Sequence, residues 1–139
     1  GSQGGFVTSD EQLLTYEEIR KIFATSKAKS KMIFADACYS GDFRNTASSN
    51  GFLNTDDVLL FLSSRPDEYS AESESMKNGF FTTCLQRCLR GAGDTNGDHI
   101  ITAKELYDSV SWGVKQLSSD RQHPVMWGHF KDDMPIMTW

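Results

Sequence analysis

Apolar positions along the chain take two forms, stripes at helical spacing and short unbroken runs, and the two forms alternate. Thr15-Tyr16-Glu17-Glu18 is a capping box, a hydroxyl at the N-cap and a carboxylate three residues on, and Tyr16, Ile19, Ile22 and Phe23 after it fall on one stripe. The spacing predicts a helix ending near Ser26. After the short basic turn 27–30, Met32, Ile33, Phe34 and Ala35 form a run of the kind found in strands buried on both faces. Val58 to Ser64, VLLFLSS, repeats that pattern and ends in small hydroxyl residues. A helix is expected over Gly79 to Arg90, stopped by Gly91-Ala92-Gly93. Another begins at the capping box Thr102-Ala103-Lys104-Glu105, with Leu106, Val110, Val114 and Leu117 on its stripe. The opening GSQGGFV reads as irregular. The tail, QHPVMWGHF then DDMPIMTW, reads as one last short strand and a covering segment.

Helix, short turn and buried strand make an α/β unit. Residues 42–57 and 65–78 are polar, and each stretch comes after a buried strand. Loops this long in a compact domain are functional or disordered, and ligands of open parallel sheets bind outside the carboxyl ends of the strands. Both loops therefore direct attention to the same edge. With 139 residues, 38% hydrophobic and 12% aromatic, the chain suffices for one core. Its formal net charge of -5, with the acids scattered, disfavours nucleic acid and suits basic peptides. No apolar window is long enough for a bilayer and residues 1–10 lack signal-peptide features, so a soluble cytoplasmic protein with no membrane partner is expected.

Chemistry concentrates where the first run stops, in KMIFADACYSG. Side chains alternate along a strand, so Asp36 and Cys38 share one face at its end, while Gly41 lets the chain turn away. An acid and a thiol then share one mouth, although a buried structural cysteine is the plainer account of Cys38 taken alone. Cys84 and Cys88, four apart in FFTTCLQRCL, lie on the helical face of Phe80, Phe81 and Leu85 and read as small hydrophobes rather than metal or redox groups. Three cysteines with no zinc or disulfide spacing suit a reducing compartment.

ADACYSG resembles the D-x-C-x-S-G segment around the nucleophile of caspase-like cysteine peptidases, above all metacaspases and their bacterial relatives. The likeness continues in order through SSRPDEYSAES, similar to their substrate-pocket loop, NGFFTTCLQRCL, similar to the next helix, and DTNGDHIITAKELYDSV. It implies a three-layer caspase-like α/β fold, a mainly parallel central sheet flanked by helices, with residues 1–139 forming its carboxyl-terminal part. It also implies a cysteine endopeptidase in which the Cys38 thiolate attacks the scissile carbonyl and an upstream histidine protonates the leaving amine. No histidine precedes Cys38; His99, His123 and His129 all lie downstream, and none is assigned to the dyad. GSQGGF resembles the segment immediately after that histidine in bacterial relatives, so the chain is expected to begin there, with the first strands also upstream. The N–H groups of Cys38 and, if Gly1 is native rather than a cloning scar, of Gly1 would then form the oxyanion hole, and the upstream segment or a second fragment would supply the histidine.

The resemblance further assigns Asp36 to an S1 pocket that receives Arg or Lys, and a carboxylate there can bind either cation independently of family. The alternative is that Asp36 only caps a turn. Asp67, Glu68 and Glu72 in the second loop are further S1 candidates, with a solvated charged loop as the other account. The resemblance also implies self-cleavage of loops after basic residues, for which Arg44, Arg65 and Lys77 are candidates, Lys77 foremost because it closes a polar segment. Finally, Asp94, Asn96, Asp98, Ile101 and Glu105 match an EF-hand loop at positions 1, 3, 5, 8 and 12, whereas His99 stands where glycine belongs. No cofactor is required, and calcium is weighed against a purely structural turn. The runner-up function is a catalytically inactive caspase-like interaction domain or calcium-responsive regulatory domain.

Overall fold

The computed structural model of the chain describes residues 4–37, 58–65, 67–68 and 79–139. Strand β1, Gly5–Val7, pairs antiparallel with β2, Leu13–Thr15, so the opening is a hairpin where irregular chain was expected. Its three-residue strands are too short to show alternation. The Tyr16 N–H donates to the Gly4 carbonyl at 3.0 Å and the Phe6 ring meets the Tyr16 ring edge to face, joining hairpin to helix.

Helix α1, Tyr16–Thr25, starts at the Thr15 capping box and buries Tyr16 and Ile19. Ile22, expected on the stripe, is 60% exposed because the contact with the sheet is made by the first turn and by half-buried Phe23. Lys31 Nζ donates to the Phe23 carbonyl at 2.7 Å, satisfying an end carbonyl of α1 from the first residue of β3, Lys31–Ala35.

The central sheet has the order β3-β4-β6 among the described residues, with β4 spanning Val58–Leu62 and β6 spanning Val125–His129. β3 runs parallel to β4 and β6 antiparallel to it, so the described sheet is mixed. Every residue of β4 is buried. β3 differs from the strand buried on both faces that its sequence suggests: Phe34 is 39% exposed, since among the described residues β3 has a neighbour on one side only.

Alternation along the three strands separates two cores. Leu60, Leu62 and Ala35 face α1, with Trp127 packed beside them. Leu59 and Phe61 face the opposite layer, formed by α2, Phe80–Arg87, and α3, Ala103–Leu117. α2 ends in a wide π-helical turn, Cys88–Ala92, closed by Gly91 at a φ of 124°. Buried Phe81, Cys84 and Cys88 meet Leu106, Val110 and Val114 of α3. The Thr102 capping box starts α3 as its spacing predicts. The tail supplies two strands rather than one, β6 and then β7, Pro135–Thr138, which pairs with β5, Ile100–Thr102. Helix, mixed sheet and helix pair make a three-layer α/β arrangement with the parallel strands ending on one edge.

Candidate functional site

At that edge β3 delivers Asp36 on the α2 side of the sheet. Asp36 Oδ2 accepts from the Thr82 hydroxyl at 2.6 Å and from the Thr82 N–H at 3.2 Å, so an exposed carboxylate is held at the N-terminus of α2. Negative charge is favoured there, where the first helical N–H groups have no partner within the helix. Gly79, the N-cap, makes the approach feasible: a Cβ at that position would lie 2.7 Å from Oδ2. Asp36 therefore does cap a helix, one 46 residues away, while remaining accessible at the sheet edge.

The next residue is clamped from the neighbouring strand. Ser63 Oγ accepts from the Ala37 N–H at 3.1 Å and lies 3.2 Å from the Ala37 carbonyl, to which it donates, while the Ser63 N–H donates to the Ala35 carbonyl at 2.9 Å. Ser63 is held in turn by fully buried Gln122, whose Nε2 donates to the Ser63 carbonyl at 2.7 Å. The backbone entering Cys38 is thus fixed by the end of β4 and by the chain entering β6. Cys38 itself, Gly1 and Glu72, with the cleavage candidates Arg44 and Lys77, lie outside the described residues.

Of the other S1 candidates, Asp67 is exposed and Glu68 is half-buried and committed. The Glu68 carboxylate accepts from the His123 N–H at 2.9 Å and lies 2.7 Å from His123 Nδ1, with the Arg65 N–H at 3.3 Å. Burial by itself would raise the Glu68 carboxyl. The bonds from the His123 ring and backbone and from Arg65 outweigh it and hold the group below its ordinary value. His123 Nε2 lies 2.9 Å from Asp120 Oδ1. Hydrogen bonds to Glu68 first and Asp120 second raise the imidazole above its ordinary value, and with a carboxylate on each nitrogen it has no free lone pair with which to act as a base.

The thiols of Cys84 and Cys88 are free and buried, as their helical spacing suggests. Burial pushes both upward, Cys88 to about 11, which makes them poor nucleophiles at neutral pH.

The calcium-like loop is stapled by its own backbone. Asp94 Oδ1 accepts from the N–H groups of Gly97 and Asp98 at 2.9 and 3.2 Å, and Asp94 Oδ2 accepts from His99 at 3.1 Å. Asn96 accepts from the Asp98 N–H, and Asp98 from the Ile100 N–H. Glu105 is held by the Thr102 N–H and hydroxyl at 3.0 Å each and by the Thr95 hydroxyl at 3.1 Å. Its carboxyl lies below the ordinary value, chiefly through the Thr102 backbone bond. Among the described residues no group of three or more His, Cys, Asp or Glu side chains is placed to hold a metal ion. His99 takes the left-handed conformation, φ 64°, that the loop needs at its sixth position, and its ring stacks on Trp139 at 5.4 Å.

Thr82, Ser63, Gln122, Asp120 and His123 were not marked by sequence as parts of this edge. The serines ending VLLFLSS were a partial signal. A buried glutamine bonded to Ser63 and a histidine bonded to Glu68 leave none, because those partners lie 59 and 55 residues away.

A family model described as the caspase domain of peptidase family C14 matches residues 1–134. The chain belongs to the caspase family of peptidases. No curated protein matched the chain in a sequence comparison. Family membership accounts for the three-layer α/β fold. Among the described residues, no helix is long and apolar enough to cross a membrane.

Proposed function

We propose that this caspase domain is the carboxyl-terminal part of a metacaspase-like endopeptidase that cleaves after Arg or Lys, with Cys38 as the nucleophile. The observation that carries the reading is Asp36. It sits at the carboxyl end of β3, two residues before Cys38, with Oδ2 anchored on Thr82 and the side chain exposed. A carboxylate held in one orientation binds a guanidinium or ammonium well, since little side-chain freedom is lost when the ligand arrives. A P1 cation on Asp36 would bring the adjoining carbonyl toward Cys38.

The reaction is thiol acylation. The Cys38 thiolate adds to the scissile carbonyl, the N–H groups of Cys38 and Gly1 receive the oxyanion, and the C–N bond breaks as an imidazolium gives its proton to the leaving amine. Water, losing its proton to the same imidazole, then hydrolyses the thioester. His123 has a carboxylate on each ring nitrogen and is committed elsewhere. The base in this proposal is a histidine outside these 139 residues, on a preceding segment or a second fragment. The substrates are peptides or proteins with basic P1 residues.

The test is affinity labelling of the chain together with the segment that carries the histidine. A peptidyl-Arg chloromethyl ketone should alkylate Cys38 alone, leave Cys84 and Cys88 intact, and outpace the peptidyl-Asp analogue by more than tenfold. Equal labelling by both reagents removes the basic-P1 assignment. No labelling by either favours an inactive caspase-like interaction domain.

A further inference from the structure

His123 lies between two acids contributed by different parts of the chain. Glu68 belongs to the loop leaving β4, and Asp120 to the turn between α3 and β6. A neutral imidazole has one N–H and one lone pair. Facing carboxylates at 2.7 and 2.9 Å, a neutral ring would set its lone pair against one of them, whereas an imidazolium donates to both. The backbone agrees with the ring, since the His123 N–H also donates to Glu68 Oε2.

We infer that His123, as an imidazolium, is a clasp that fastens the loop after β4 to the turn before β6, and that the fastening loosens when the ring loses its proton. The charged surroundings come from three elements. The β4 loop contributes Glu68 and Arg65, whose guanidinium is 3.7 Å from Glu68. The turn contributes Asp120. α3 contributes Lys115, 3.9 Å from Asp120, and the Tyr107 side chain, which lines the same small cavity as Arg65, Lys115 and His123. Arg65 opposes protonation of the ring, but the two carboxylates in direct contact outweigh it.

The raised imidazole sets the sign of the pH dependence. Its contribution is complete below the ordinary value of 6.5 and is lost as pH rises through the higher folded value. The Glu68 contribution is complete above its ordinary 4.5 and is lost as pH falls through its depressed folded value. Both groups are charged between 4.5 and 6.5, so the clasp is tightest there and opens on the alkaline side. Its bearing on substrate rests on the peptidase reading and on this loop's resemblance to a substrate-pocket loop; the clasp itself does not.

The experiment is an NMR titration of the three imidazoles in the 139-residue chain, with amide exchange measured in parallel. The expected midpoint for His123 lies above 6.5, falls in Glu68→Gln and falls again in Asp120→Asn. Protection of the His123 amide, corrected for the intrinsic rate, should drop by about tenfold for each unit by which the midpoint exceeds the ordinary value. A midpoint at or below 6.5, insensitivity to both substitutions, or protection that is constant through the titration would overturn the clasp. No outcome depends on catalysis, so failure of the peptidase reading would leave this result standing.

Discussion

Asp36 has two roles open to it, and its geometry joins them. The carboxylate that caps α2 is the one proposed to receive a P1 cation, so the capping bond would supply its orientation. Thr82→Val should remove the hydroxyl bond, cost about 1 kcal/mol in urea unfolding and raise KM for Arg substrates more than it lowers kcat. Gly79→Ala should be worse, because its Cβ would meet Oδ2 at 2.7 Å and displace the carboxylate from the helix end. The cysteines offer a second check at this scale. With Cys84 and Cys88 buried and their thiols raised, a thiol reagent at neutral pH should titrate Cys38 promptly and the other two only after unfolding. Three equally fast thiols would contradict the α2–α3 packing.

At the scale of elements, the capping boxes of α1 and α3 are local devices and form where their spacing predicts, because donor and acceptor are three residues apart. The loop before α3 is local as well, yet its pattern is ambiguous. An EF-hand-like spacing is also the spacing at which Asp94 can gather three backbone N–H groups. Asp94→Ala should accordingly lower stability by about 1–3 kcal/mol with or without calcium, as buffered and chelated melts would show. A calcium-dependent rise in Tm abolished by that substitution would favour the metal reading over the structural turn. The Gln122 strap is the opposite case. Gln122→Leu removes a donor to the buried Ser63 carbonyl and should cost about 1–3 kcal/mol, although nothing in the sequence marks position 122.

For the whole molecule, β4 is the element on which both cores depend. Leu60 and Leu62 belong to the α1 side and Leu59 and Phe61 to the α2–α3 side, where the Phe61 ring meets Phe81 at 4.9 Å. Phe61→Ala should cost about 3–5 kcal/mol and move the urea midpoint without separating the transitions of the two layers. A biphasic melt would show the layers to be independent. The unbroken run Val58 to Leu62 made the buried strand legible, and the run at Met32 to Ala35 made its parallel partner legible. What the runs could not convey was that β3 is half-covered, or that the tail adds β6 antiparallel to β4. Pairing partners and cover are long-range matters, and the same apolar run serves a strand with one neighbour or two. By itself the sequence determined what is encoded within a few residues: the helix starts, the two apolar strands, and the acid that ends the first of them. Only the tertiary structure decided which carboxylates are spent and on what, because Asp36 meets Thr82 across 46 residues and Glu68 meets His123 across 55. Hydrogen bonds over such separations exist only once the chain has folded, and no periodicity records them in advance.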